Sequence, residues 1–171
     1  PSQLRDTSSS MRQASSSVSA MNTSRTIRQS CRLGVRPVLA APISTEQQPW
    51  GIQGDPKKAA RTVRVTMSDA MRFDPAQLTL KRGETVTFVV HNAGKLMHEF
   101  VLGTPAALDE HAQMMKKHPG MEHDEPYMAH VAPGKTQRLS WTFSEAGDFL
   151  AGCLVAGHWD AGMKANLHVK E

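Results

Sequence analysis

Cys153, His158 and Met163 stand five residues apart in the run Ala-Gly-Cys-Leu-Val-Ala-Gly-His-Trp-Asp-Ala-Gly-Met. Asp148 to Cys153 reads as an incoming strand and Lys164 to Val169 as an outgoing one, so the ten residues between them form a loop. A loop of that length can fold a thiol, an imidazole and a thioether onto one point. This demand constrains the chain more than any other, because it fixes two strands, the turn between them and what the turn must enclose.

The donor types suit copper. An ion cycling between Cu(II) and Cu(I) needs thiolate and imidazole ligands that serve both states, with a long, weak thioether to tune the potential. A second imidazole from another part of the sheet would make the site rigid, and His98 is the candidate. It opens the apolar stretch His-Glu-Phe-Val-Leu and follows the turn-rich Asn92 to Met97. The expected ligands are therefore His98, Cys153, His158 and Met163. Singly, each has an ordinary reading: packing for the cysteine, a loop position for the histidine, core for the methionine. Zinc is the rival ion, but structural zinc sites use cysteine and histidine without a thioether.

Upstream, short segments alternate and are separated by turn signals. Val63 and Val65, Gln77 to Leu80, Thr85 to His91 and Arg138 to Phe143 read as strands, with turns at Asn92-Ala-Gly, Pro133-Gly134 and Glu145-Ala-Gly147. The pattern implies an all-β antiparallel sandwich. One segment departs from it. Thr104, a suitable N-cap followed by Pro105, opens a short helix to Lys117.

These features resemble the cupredoxins, the small Greek-key sandwich family that includes plastocyanin, azurin, auracyanin and rusticyanin. The resemblance rests on Leu96-Met97-His98-Glu99-Phe100 and on the Cys-x4-His-x4-Met loop, and covers roughly residues 60 to 171. The loop spacing is most similar to auracyanin and rusticyanin. The His-Glu-Phe-Val-Leu-Gly segment and the Ala-Gly-Met ending resemble bacterial cupredoxins linked to copper tolerance. The family implies one type 1 copper and a Greek-key sandwich, into which the helix from Pro105 to Lys117 reads as an insertion. It also implies that His158 lies near the surface as the port for a redox partner, with Leu154, Val155, Ala156 and Trp159 as an apolar docking patch. Core packing is the other reading of Trp159. Two positions depart from the common pattern: Glu99 stands where Asn or Ser is frequent, and the ligand loop lacks a proline. Colour and potential depend on hydrogen bonds around the ligands and do not carry over.

Two functions follow as expectations. The first is a one-electron carrier whose partner is a protein such as a cytochrome. The second is copper tolerance, by sequestering, buffering or oxidising copper together with other copper-handling proteins. An enzyme is not expected, since four ligands leave no open position and no Ser-His-Asp or paired-carboxylate arrangement is legible. The segment after the first ligand strand adds His111, Met114, Met115, His118, Met121, His123, Met128 and His130, half of the chain's eight histidines and four of its ten methionines. These donors admit a second, looser copper site within 111–130; the alternative is a solvated helix with an adaptable methionine face. His91 and His168 read as strand residues.

The charge map sets an expected boundary. Residues 1–58 hold eight Lys or Arg against three acids, whereas 59–171 hold twelve against thirteen. The formal net charge of +4 therefore comes from the leading segment, and no nucleic-acid surface is implied. Residues 1–45 carry eleven Ser and six Arg with Asp6 as sole acid, a composition too polar to offset chain entropy. The expectation is a disordered leader or targeting remnant over 1–58 and a copper-binding domain over 59–171. Met21 to Arg28 resembles the basic start of an export signal and Val38 to Ala41 its small-residue end, but Arg32, Arg36 and Pro37 interrupt the apolar centre. A periplasmic domain behind a degraded or misread leader is expected, with organelle import as the alternative. No stretch approaches a membrane span, Cys31 and Cys153 are not expected to pair, and a monomer is expected.

Overall fold

The computed structural model describes residues 42–119, 121 and 123–171. Its strands are β1 (Gln47–Gln48), β2 (Gly51–Gln53), β3 (Arg61–Ser68), β4 (Arg72–Asp74), β5 (Gln77–Lys81), β6 (Thr85–Asn92), β7 (His98–Gly103), β8 (Met128–Val131), β9 (Thr136–Phe143), β10 (Gly147–Gly152) and β11 (Lys164–Lys170), with the helix α1 (Pro105–Lys117) between β7 and β8. They form two sheets, ordered β1-β2-β9-β6-β3-β4 and β5-β11-β10-β7-β8. This is the all-β Greek-key sandwich with one helix that the sequence implied.

Alternation builds the core. In β6, Val86, Phe88 and Val90 point inward and are wholly buried, and β9 answers with Leu139, Trp141 and Phe143. Polar Thr87 is also buried, but its hydroxyl bonds that of Ser140 at 2.7 Å, so neither oxygen is left unpaired. From the second sheet come Phe100, Leu102, Phe149, Ala151, Leu167 and Val169. Phe100 packs edge-on to Phe73 at 5.6 Å between ring centroids and tilted to Phe88 at 5.3 Å.

Two expectations are corrected. The sandwich is not purely antiparallel: β3 runs parallel to β6 from Arg61↔Val86 to Met67↔Asn92, and β5 runs parallel to β11. The chain leaves the first sheet after β4, spends β5 in the second and returns in β6, so that β6 comes back beside β3 in the same direction. The domain also begins before residue 59. β2 pairs with β9 from Gly51↔Phe143 to Gln53↔Trp141, and Trp50, only 8% exposed, stacks within 4.8 Å of Trp141. One large aromatic gives this polar segment enough apolar surface to join the core. The rest of the expected leader, residues 1–41, lies outside the described residues.

The helix forms where expected. Thr104 Oγ1 accepts from the Ala107 amide at 3.2 Å, Pro105 occupies the first turn, and Lys116 and Lys117 close the last. Leu108, Ala112 and Met115, at helical spacing, bury against Val101, Met128, Leu154 and Trp159. Burial of the leucine and methionine contributes about 1.5–3 kcal/mol each. This second apolar cluster sets α1 directly over the loop after β10.

Candidate metal centre

Antiparallel pairing of β7 with β10 sets Val101 opposite Gly152, so the start of β7 lies beside the end of β10. β11 starts at the same end, with Lys164 opposite Gly152. His98, Cys153 and the loop between β10 and β11 therefore meet at one end of the second sheet.

The loop is closed by its own backbone. The Cys153 amide donates to the Met163 carbonyl and the Met163 amide to the His158 carbonyl, both at 3.1 Å, while the His158 amide donates to Val155 at 2.9 Å. Gly157, at φ +89°, supplies the left-handed step before His158 that a side-chain-bearing residue takes only with strain.

His98, Cys153 and His158 each bring one donor atom into a group in which all lie within 4.8 Å of one another. Cys153 Sγ is 3.3 Å from His158 Nδ1 and 3.9 Å from His98 Nδ1. Donors about 2.0–2.3 Å from one first-row ion stand roughly 3.3–4 Å apart, so the sulfur and the two imidazoles fit a common metal. Met163 ends the loop fully buried, in the same apolar cluster as Cys153.

Asp69, in the turn after β3, was not legible as part of this site. Its Oδ2 accepts from the Lys95 amide at 2.8 Å and its Oδ1 from the Leu96 amide at 3.2 Å and from His98 Nε2 at 3.1 Å. The Lys95 amide first, then Leu96 and His98, hold the carboxyl below its ordinary range. An ionised carboxylate only accepts, so Nε2 of His98 donates to it, and in the neutral ring that leaves Nδ1, on the sulfur side, with the lone pair a metal would use. A Cβ on Gly94 would collide with this carboxylate, which explains the glycine. Asn92 builds the rest of the turn: its Nδ2 donates to the carbonyls of Leu96 and Val131, and its Oδ1 accepts from the Gly94 amide. Substituting Asp69 by Ala is expected to weaken copper binding about 10–100-fold without loss of folding, as read by chelator competition beside circular dichroism.

Burial pushes the Cys153 thiol up to about 12, opposed by the Glu99 amide, which donates to Sγ at 3.3 Å. Burial, and after it the neighbouring His98, lowers the pKa of His158 and favours the neutral imidazole that a metal requires. The Glu99 side chain turns away. Its Oε1 meets His130 Nδ1 at 3.2 Å, and His130 Nε2 reaches the His123 carbonyl at 2.9 Å.

The expected docking patch is corrected in two of its four members. Leu154 and Trp159 are 1% and 5% exposed, because α1 lies over the loop and covers both. The Trp159 indole donates to Asp109 Oδ1 at 3.1 Å, and Lys116 pairs with Asp160 at 2.7 Å. Half-buried Val155 and exposed Ala156 remain at the surface, and they line a cleft with Met97, itself exposed. Of the insertion's donors, Met115 and Met128 are core, while Met114, His118 and Met121 are exposed. His91 bonds Thr136 and His168 bonds Asp148, both as strand residues.

A model of the family described as copper binding proteins, plastocyanin/azurin family, matches residues 60–170. The chain is 52% identical over 122 residues to the copper-resistant cuproprotein CopI of Rubrivivax gelatinosus, covering 71% of this chain and 74% of that protein. It is 34% identical over 152 residues to the protein of the same name from Pseudomonas aeruginosa, covering 72% and 83%. Among solved structures, reduced auracyanin from Roseiflexus castenholzii superposes with a TM-score of 0.57 at 18% identity, over 66% of this chain and 99% of that one. Auracyanin A of Chloroflexus aurantiacus, described as a blue copper protein, gives 0.55 at 24%, over 64% and 98%. At these identities the two structures speak for the fold alone.

Proposed function

The chain belongs to the plastocyanin/azurin family of copper-binding proteins, and from that premise we propose that it serves copper tolerance through one type 1 copper centre, which His98, Cys153, His158 and the thioether of Met163 would hold. The observation that carries the copper assignment is the convergence of two imidazoles and a thiol within 4.8 Å at a buried strand end. The tolerance role draws on the two relatives named copper-resistant cuproproteins.

When bound, copper supplies one-electron chemistry between Cu(II) and Cu(I). The chain's own residues do the rest. Asp69 orients His98, the Glu99 amide holds the sulfur, and α1 buries Leu154 and Trp159 of the loop. Ligands held in place in this way would suit sequestering or buffering copper. The role is binding rather than catalysis, in a periplasmic monomer working with other copper-handling proteins. No helix among the described residues is long and apolar enough to cross a membrane.

A second reading, electron transfer to a protein partner, draws on exposed Met97 beside Val155 and Ala156, an apolar rim next to a half-buried His158. One comparison separates the two. Expressed in the periplasm of a copper-sensitive bacterium, the full chain is expected to restore growth in copper and the C153S variant is not. No protection, together with rapid electron exchange between the copper-loaded chain and a c-type cytochrome, would replace tolerance by electron transfer.

A further inference from the structure

Apart from the copper loop, α1 and the segment after it bring a second pair of imidazoles together. His111 lies in α1 and His123 between α1 and β8, with ring centroids 4.7 Å apart and planes at 39°. His111 Nε2 and His123 Nδ1 are both closed to solvent, and neither has a hydrogen-bond partner among the described residues. Buried polar nitrogens are nearly always bonded. Two orphaned nitrogens on facing rings need a common explanation.

A proton shared between the rings does not supply it, since no hydrogen bond joins them. A metal ion does, and the surrounding donors narrow its identity. The cleft that these histidines line also contains Met114, His118 and Glu110. The main centre is nevertheless the only place among the described residues where three or more His, Cys, Asp or Glu donors converge. Zinc, which takes four such donors, is poorly served by two imidazoles. Cu(I) is content with few ligands, and thioethers select for it. His123 is in turn held in place through its backbone carbonyl, which accepts from His130.

We propose that His111 and His123 form a second site, for Cu(I), with Met114 as the thioether that completes it. This goes beyond the copper centre at Cys153 and shares no ligand with it. A chain with both sites holds a reduced ion apart from the thiolate-bound one.

The test is an anaerobic Cu(I) titration of the full chain against a chromophoric chelator, comparing wild type with the double variant H111L/H123L. Wild type is expected to take up two equivalents and the variant one, while Cu(II) still gives the variant the intense thiolate band of an intact main centre. Uptake of one equivalent by wild type, or of two by the variant, overturns the proposal. Should the double variant fail to fold, two measurements replace it. Met114→Leu, at an exposed position, is expected to weaken only the second equivalent, and Cu(I) beyond the first equivalent is expected to shift the ring nitrogen resonances of His111 and His123 in wild type. Unmoved resonances reject the site. The main centre's band is read separately, so failure here leaves the assignment at Cys153 standing.

Discussion

Cys153→Ser is expected to abolish the intense thiolate-to-copper absorption and to weaken Cu(II) binding on the order of a thousandfold, about 4 kcal/mol. The sulfur is the only thiol in the described residues, sits at zero exposure and faces both imidazoles. A hydroxyl in its place is a far poorer ligand at neutral pH. The same sulfur sets a pH dependence. Since burial holds the thiol near 12, the site without metal is protonated at pH 7, and the ion must displace that proton. Apparent affinity should therefore rise about tenfold per pH unit through neutrality. Calorimetry in buffers of different ionisation enthalpy should register about one proton released per copper. A variant that keeps both band and affinity would remove Cys153 from the site.

Trp50→Ala is expected to cost about 3–5 kcal/mol of stability, the range for truncating a buried aromatic. Its ring touches four others: Trp141 at 4.8 Å, Tyr127 at 5.7 Å, Phe149 at 5.9 Å and Phe143 at 6.0 Å between centroids. Urea unfolding of the two full chains would show the loss as a lower midpoint at unchanged slope. A chain shortened to begin at residue 59 should lose at least as much, because it also strips β2 from the edge of β9. An unaltered midpoint for both would mean that this segment only rests on the sandwich.

The convergence of His98, Cys153 and His158 was legible because the chemistry of the candidate ligands is written locally. Cys153, His158 and Met163 lie in one short run, and His98 opens a wholly buried strand just after a turn. The helix was legible for the same reason, through Thr104, Pro105 and the spacing of Leu108, Ala112 and Met115. What escaped depends on distant parts of the chain. Nothing in Arg61 to Ser68 marks it as parallel to β6, since the direction of a neighbour is decided by crossovers far along the chain. Gln47 to Gln53 is polar, and its place in the sheet hangs on one tryptophan finding a slot among aromatics from other strands. Asp69 precedes His98 by 29 residues, and an acid in a surface turn carries no local mark of its partner. Leu154 and Trp159 sit in a loop that the family resemblance, not its own mostly apolar composition, placed at the surface. Only the position of α1 over that loop buries them.

Position 99 carries a separate lesson. The group that holds the Cys153 sulfur there is the main-chain amide, which every amino acid but proline offers. The side chain is thereby released from that duty and is free to specialise; here it reaches across to His130. Glutamate where asparagine or serine is frequent is thus no defect. Substitutions at this position should divide by backbone rather than by side-chain class, with proline alone breaking the anchor.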